Sequence, residues 1–356
     1  MRKKIKIGFR AALIFFVIIS IIFSAGCKKK DKDEADFVRG PDGLVMSFID
    51  NAPQDKYVIS DVDEPISIAI DVWNKGTHPR KYDDEEDMEA AYFNTGRISI
   101  SGFDKKIIVM EKDYKYFSDG VYLPPASPLN PRGGLYTAEF NGKIKADNII
   151  VDKYEPTILV TACYPYSTIA TPTVCVDPQP FETRQEKVCT IGSQTLKPQG
   201  APIAITKIDQ EASRGKIRFK ITIENVGKGD VIWENDVNQL SLIIDKCSPA
   251  GDTIGITTGR LDRKDFDKVR LDEVKIGEVN LLDPNGDGKF DDNECAPFAE
   301  GTDNIIRLFD GSGFVVCTLD ELEKGPESAY TTPIAIKLSY AYRSTISKPI
   351  SIRKIE

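Results

Sequence analysis

The sequence predicts an all-β chain of two tandem antiparallel β-sandwiches, the second enlarged by an insertion. Three observations lead there. Apolar residues alternate with polar ones in short runs punctuated by Gly, Pro, Asn and Asp, and helical periodicity is scarce. The run Ile66, Ile68, Ile70, Val72, closed by Asn74-Lys75-Gly76, recurs 151 residues later as Ile217, Phe219, Ile221, Ile223, closed by Asn225-Val226-Gly227. A second set, Ile158, Val160, Ala162, Tyr164 and Tyr166 with Val174 and Val176, recurs at an offset of 176 as Ile334, Ile336, Leu338, Tyr340 and Tyr342 with Ile350 and Ile352. Two long units with frequent turns read as tandem sandwiches rather than a solenoid. At 356 residues, 41% hydrophobic and 29% charged, the chain is long enough and apolar enough for two cores.

The N-terminus reads as an address. Arg2, Lys3, Lys4, Lys6 and Arg10 precede 16 uncharged residues, Ala11 to Gly26. That run is shorter than the roughly 20 residues that span a bilayer core. A basic start, an apolar middle and small residues at the end form a signal peptide over residues 1–26. Ser24-Ala25-Gly26 stand directly before Cys27. This resembles the lipobox of the lipoprotein family, with Ser24 where a leucine is usual. The resemblance implies that Cys27 is lipidated and becomes the new N-terminus; an uncleaved anchor helix or an ordinary cleaved signal are the alternatives. Each version puts the bulk of the chain outside the cytoplasm, at the cell surface, with the membrane as a partner through the N-terminus. Removing residues 1–26 takes five basic and no acidic residues and changes the net charge from −8 to −13. Residues 27–39, opening with Lys28-Lys29-Lys30, then form a charged tether.

Domain one is expected over 40–178 and domain two over 199–356. Pro178, Pro180, Gly192, Pro198 and Gly200 in and around 179–198 suit a linker. The two repeat offsets differ by 25, which places about that many extra residues inside the second copy. Each copy resembles the broad immunoglobulin-like class of extracellular modules, through alternating strands and the Asn-x-Gly strand ending found in adhesion-type repeats. The resemblance implies a sandwich fold and no particular function.

Seven cysteines less Cys27 leave six, an even number in an exported chain, and three disulfides are expected. Cys163 and Cys175 map onto Ser339 and Ser351, so both are absent together from the second copy. Both also point away from the face of Ile158, Val160, Val174 and Val176. A Cys163–Cys175 bridge across neighbouring strands follows. Cys189, Cys247, Cys295 and Cys317 allow three pairings, of which Cys189–Cys247 with Cys295–Cys317 is preferred. No C-x-x-C pair occurs, which argues against a zinc–thiolate site.

The insertion contains Asp283-Pro-Asn285-Gly-Asp287-Gly288-Lys289-Phe290-Asp291-Asp-Asn-Glu294, which fits D-x-[DN]-x-[DN]-G-x5-E at every fixed position. A hard cation takes six or seven oxygens. Asp283, Asn285 and Asp287 supply alternate side chains, Gly288 permits the turn, and Lys289 offers its carbonyl. Asp291 contributes directly or through water, and Glu294 closes the set with two oxygens. These twelve residues resemble the loops of the EF-hand and dockerin families. The usual flanking helices are not expected, because Val274 to Leu282 alternates like a strand and Pro297 follows closely. Calcium as a structural staple, rather than a sensor that opens a helix pair, is the expected cofactor.

Other chemistry is largely excluded. The acidic balance, 47 basic against 55 acidic residues, argues against a nucleic-acid partner. His78 is the single histidine, which rules out a multi-histidine zinc site and disfavours a Ser-His-Asp machine. G-x-S-x-G, P-loop and H-E-x-x-H motifs are absent. Asp83-Asp84-Glu85-Glu86-Asp87 reads as a solvated loop, and the recurring tyrosines read as packing rather than a sugar platform. The expectation is a non-enzymatic, lipid-anchored surface protein with a structural, adhesive or assembly role, whose partner is a second copy or another surface protein. The alternative is a surface lipoprotein that binds carbohydrate or peptide, followed by a hydrolase whose carboxylates no spacing selects.

Overall fold

The run Glu64–Asn74 shows how alternation becomes structure. Ile66, Ile68, Ile70 and Val72 are each at most 2% exposed, while Ser67 between them faces solvent. Each such side chain, fully buried, contributes about 1.5–3 kcal/mol from the water it leaves. The computed structural model describes residues 39–80, 88–182, 187–213, 215–233, 244, 246–247, 261–284, 286, 294–302, 304–320 and 328–355.

In chain order the described residues form β1 (Leu44–Phe48), β2 (Lys56–Ile59), β3 (Glu64–Asn74), the helix α1 (Met88–Phe93), β4 (Arg97–Ser101), β5 (Ile108–Met110) and β6 (Tyr114–Tyr116). There follow β7 (Leu135–Ile144), β8 (Lys153–Tyr154), β9 (Thr157–Ala170), β10 (Thr173–Val176), β11 (Ser193–Thr195), β12 (Ile203–Ser213) and β13 (Lys216–Asn225). The last strands are β14 (Asp230–Ile232), β15 (Lys268–Ile276), β16 (Val279–Asn280), β17 (Cys295–Ala296), β18 (Ile305–Arg307), β19 (Ser312–Leu319), β20 (Tyr330–Pro349) and β21 (Ser351–Lys354). The fold is all-β, as the alternation implies. Among the described residues no helix is long and apolar enough to cross a membrane.

Seven strands of the first copy match seven of the second in chain order and in pairing. The sheet β1-β3-β7-β5 corresponds to β12-β13-β19-β17, and β6-β4-β9 corresponds to β18-β15-β20. Registers match as well: Leu44 pairs with Asn74 where Ile203 pairs with Asn225, and Arg97 pairs with Cys163 where Arg270 pairs with Ser339. Within a copy, the first sheet follows the A-B-E-D order of an immunoglobulin-type sandwich and the second supplies C and F. The place of strand G, beside F, is taken by strand F of the other copy. β9 and β20 pair antiparallel over fourteen residue pairs, from Thr157↔Pro349 to Ala170↔Ile336.

This seam extends past both ends of β9 at one unbroken register, from Lys153↔Arg353 to Val176↔Tyr330. Pro165 pairs with Ala341, its own counterpart at the offset of 176, so a local two-fold axis passes between them. The stretches 40–178 and 199–356 thus share a central sheet, and Val38–Glu356 forms one unit. The stretch 179–198 contains β11, which pairs with β12 at the edge of the second copy's outer sheet. A small sheet, β2-β21-β8, ties the end of the chain to the first copy, with β2 and β21 parallel.

The disulfides correct two of the three expected pairings. Cys163 bridges Cys247, Cys175 bridges Cys189, and Cys295 bridges Cys317. The Cys163–Cys175 bridge does not form, because no hairpin separates these residues. β10 continues the line of β9 along β20, so the two cysteines lie twelve residues apart on one extended path, about 40 Å at the usual strand rise. The preferred Cys295–Cys317 pairing is present, and Cys189–Cys247 is not.

Candidate functional site

The repeated motifs identified in the sequence converge on the inner face of the seam. Tyr166 Oη donates to Asn74 Oδ1 at 3.4 Å, and Tyr342 Oη donates to Asn225 Oδ1 at 3.2 Å. Asn74 Nδ2 donates to the carbonyl of His78 and Asn225 Nδ2 to that of Gly229, each four residues on and each at 2.9 Å. Tyr164 Oη accepts from the Leu44 amide and Tyr340 Oη from the Ile203 amide. The Asn-x-Gly ending is therefore a socket for a tyrosine of the seam. Its glycine is required by close approach: a Cβ on Gly76 would lie 1.8 Å from Tyr166 Oη, and one on Gly227 2.2 Å from Tyr342 Oη. All four tyrosines are buried, which excludes an exposed sugar platform at these positions. Burial pushes the hydroxyls of Tyr164, Tyr166 and Tyr340 well above the ordinary tyrosine range and that of Tyr342 up to about 12.

The other side of the seam is polar around Ser167 and Ser339. Alternation turns Pro165 and Ser167 of β9, with Lys337 and Ser339 of β20, to one face. Arg270 and Asp272 of β15 lie beside them. A cavity of about 330 Å³ opens here, lined by Met88 and Glu89 of α1 and bordered by His78 and Trp233. α1 is fixed by Phe93, fully buried and 5.3 Å from the ring of Phe117. Glu89 lies one turn earlier on the same helical face and so projects over the cavity.

The cavity walls carry two ion pairs. Lys337 Nζ donates to Glu89 Oε1 at 2.5 Å, and Arg270 Nε donates to Asp272 Oδ1 at 2.5 Å. Ser339 Oγ donates to the other oxygen of Asp272. The Arg270 guanidinium lies 4.7 Å over the Trp233 ring. His78, almost fully buried, stands with Nδ1 2.7 Å from Ser167 Oγ and 3.7 Å from Glu89 Oε2. Its ring meets that of Tyr166 edge-on at 4.9 Å. A serine-histidine-acid relay needs hydroxyl and carboxylate on opposite ring nitrogens; here both approach Nδ1.

Sequence reasoning did not find this site. His78 and Trp233 were visible only as single residues, and α1 spans six residues beside the acidic run 83–87, too short for a periodic signal. Of the expected calcium ligands, Asp283 and Glu294 are described and stand at the two ends of the insertion. Asn285, Asp287, Lys289 and Asp291 lie outside the described residues, as does Cys27. The loop ends are drawn together: the Glu294 amide donates to the carbonyl of Leu281 at 2.8 Å, and the neighbouring Cys295 is bridged to Cys317. Among the described residues no three His, Cys, Asp or Glu side chains gather as a metal set.

No family model and no curated protein matches the chain. Among solved structures, the C-terminal domain of the Streptococcus pyogenes antigen I/II-family protein AspA aligns with 88% of this chain and 100% of its own length, at 7% identity and a TM-score of 0.17. A likeness at that level carries no conclusion about fold or function.

Proposed function

We propose that this chain is a non-enzymatic surface protein that stands outside the cytoplasm and binds a small polar ligand at the seam between its two copies. The observation that carries this reading is the cavity itself. A fold that needed only rigidity would fill it, yet it is walled by paired, partly accessible charges and by hydroxyls, the mixture that ligand pockets use for orientation. Three disulfides suit an oxidising compartment, and lipidation at Cys27 would hold the chain at the membrane. Calcium in the loop from Asp283 to Glu294 would order the insertion, and the hydrogen-bonded loop ends support that role. Thermal-shift screening of the purified chain against small polar compounds tests the proposal. The expected result is stabilisation by one chemical class, abolished by Ser339→Met, which fills the cavity; no stabilisation by any class would refute it.

A structural or assembly role is the second reading. Val58, Val62, Ile150, Val151 and Ile355 are exposed around the small sheet β2-β21-β8, an apolar surface suited to a partner. Light scattering with calcium and then with chelator separates the readings, since assembly through this surface requires a mass above that of one chain.

A further inference from the structure

The two-fold relation between the copies supplies a comparison within one molecule. The counterpart of the cavity lies at Cys163, Ala341 and Arg343, which occupy the places of Ser339, Pro165 and Ser167. That place is filled. Cys163 is bridged to Cys247, and Ile232, Ile244 and Ala341 pack with them into one apolar cluster. Arg343 lies 4.9 Å over the Phe266 ring and pairs with Asp230. Corresponding strands are thus covered by an apolar cluster on one side of the axis and lined by charged groups on the other. Two members of the plug, Ile244 and Cys247, come from the 42 residues between β13 and β15, where only 22 separate β3 from β4.

From this we infer that the open cavity is a site for a small zwitterion, a free amino acid or a short peptide carrying both an ammonium and a carboxylate. This rests on the binding function proposed above and names its ligand class. Among the described residues two cations, Lys337 and Arg270, and two anions, Glu89 and Asp272, line the space as two ion pairs. An ion of one sign entering between such pairs meets as much repulsion as attraction, and desolvating it finds no compensation. A zwitterion places its carboxylate against Lys337 and Arg270 and its ammonium against Glu89 and Asp272, so both charges are met at once. The side chains of all four are 16–32% exposed, which keeps them within reach of a ligand. About 330 Å³ is at the lower end of small-molecule pockets and suits one or two residues. A neutral sugar would need an uncovered aromatic face; Trp233 is 4% exposed and carries the Arg270 guanidinium on its ring.

Isothermal titration of the full chain with glycine, L-serine and glycylglycine, each beside its N-acetylated and C-amidated form, tests the assignment, with glucose and galactose in parallel. The expected result is binding by at least one free zwitterion and a loss of about tenfold or more, roughly 1.4 kcal/mol, on capping either end. Glu89→Gln should remove the penalty for N-acetylation and Lys337→Gln the penalty for amidation, each with an unchanged melting temperature; a pair of variants that melts early is replaced by Ser339→Met. Equal binding of capped and free forms, or binding of the sugars alone, overturns the zwitterion and leaves a ligand site standing. No heat from any of these probes overturns both.

Discussion

Replacing Asn74 by alanine should cost markedly more than replacing Asn225, although the two hold the same place in the two copies. Asn74 is fully buried and donates to two carbonyls, those of His78 at 2.9 Å and Leu123 at 3.0 Å. It accepts from the Gly76 amide at 3.3 Å and from Tyr166 at 3.4 Å. Each short donation lost to a buried carbonyl costs about 1–2 kcal/mol, each long acceptance about half of one, and the empty volume about one more. The sum is roughly 4–6 kcal/mol. Asn225 is half-buried, with one donation to Gly229 and one acceptance from Tyr342, and water can replace part of both. Its removal should cost about 1–2 kcal/mol. Guanidinium unfolding of the purified chain, followed by tryptophan fluorescence, gives both values from the shift in midpoint at unchanged slope. Equal costs, or a larger one at Asn225, would refute the reading of the Asn-x-Gly endings as buried sockets of unequal depth. Tyr166→Phe in the Asn74→Ala background should be less costly than alone by about 0.5 kcal/mol, because the hydroxyl has already lost one of its two acceptors and keeps the Gly200 carbonyl.

Three further outcomes follow from the seam and the bridges. Non-reducing peptide mapping should recover Cys163–Cys247, Cys175–Cys189 and Cys295–Cys317; opening the first, which spans 84 residues, by a double serine substitution should cost about 3–5 kcal/mol, and a Cys163–Cys175 peptide would contradict the structure. Burial raises the seam tyrosines, so their neutral forms are favoured in the folded chain, and that stability is complete below pH 10 and lost as pH climbs towards 12 and beyond. Phenolate absorbance should therefore show these hydroxyls ionising together with unfolding, each steepening the loss by about 1.4 kcal/mol per pH unit; early, gradual titration of every tyrosine in the folded chain speaks against it. Calorimetry with calcium should register one site that Glu294→Gln weakens or abolishes, and unchanged stoichiometry and affinity in that variant would dismiss the loop as a metal site.

Much of the fold was legible because strand alternation is local. Ile66 to Val72 and Ile217 to Ile223 declare their buried faces within seven residues, and the repeated Asn74/Asn225 and Tyr166/Tyr342 betray a shared device even before its partners are known. How the copies join was not legible. Pairing of β9 with β20 links residues more than 150 apart, and no spacing encodes which edge strand meets which. The cysteine expectation failed for the same reason: it assumed a turn after Ala170, whereas Pro172 lets the chain run straight on and sends Cys163 to a partner in the other copy. The cavity escaped because its four charges come from three separate stretches of chain, α1, β15 and β20, none distinctive alone. Only the i, i+4 relation of Glu89 and Phe93 was there to be read, and a six-residue helix does not announce itself.

The seam also sets a timetable for folding. Its second strand, β20 with β21, pairs with β9 across more than 150 residues, so the first copy's sheet keeps an unpaired β9 edge until those residues are available. Closing pairs 154 to 200 residues apart is slow compared with local hairpins, because the loop entropy is lost before the contacts form. A chain that cannot seal itself early leaves a long strand edge open to mispairing for that time. Truncation anywhere before Tyr330 removes the partner of β9 along this edge and leaves it paired with β4 alone.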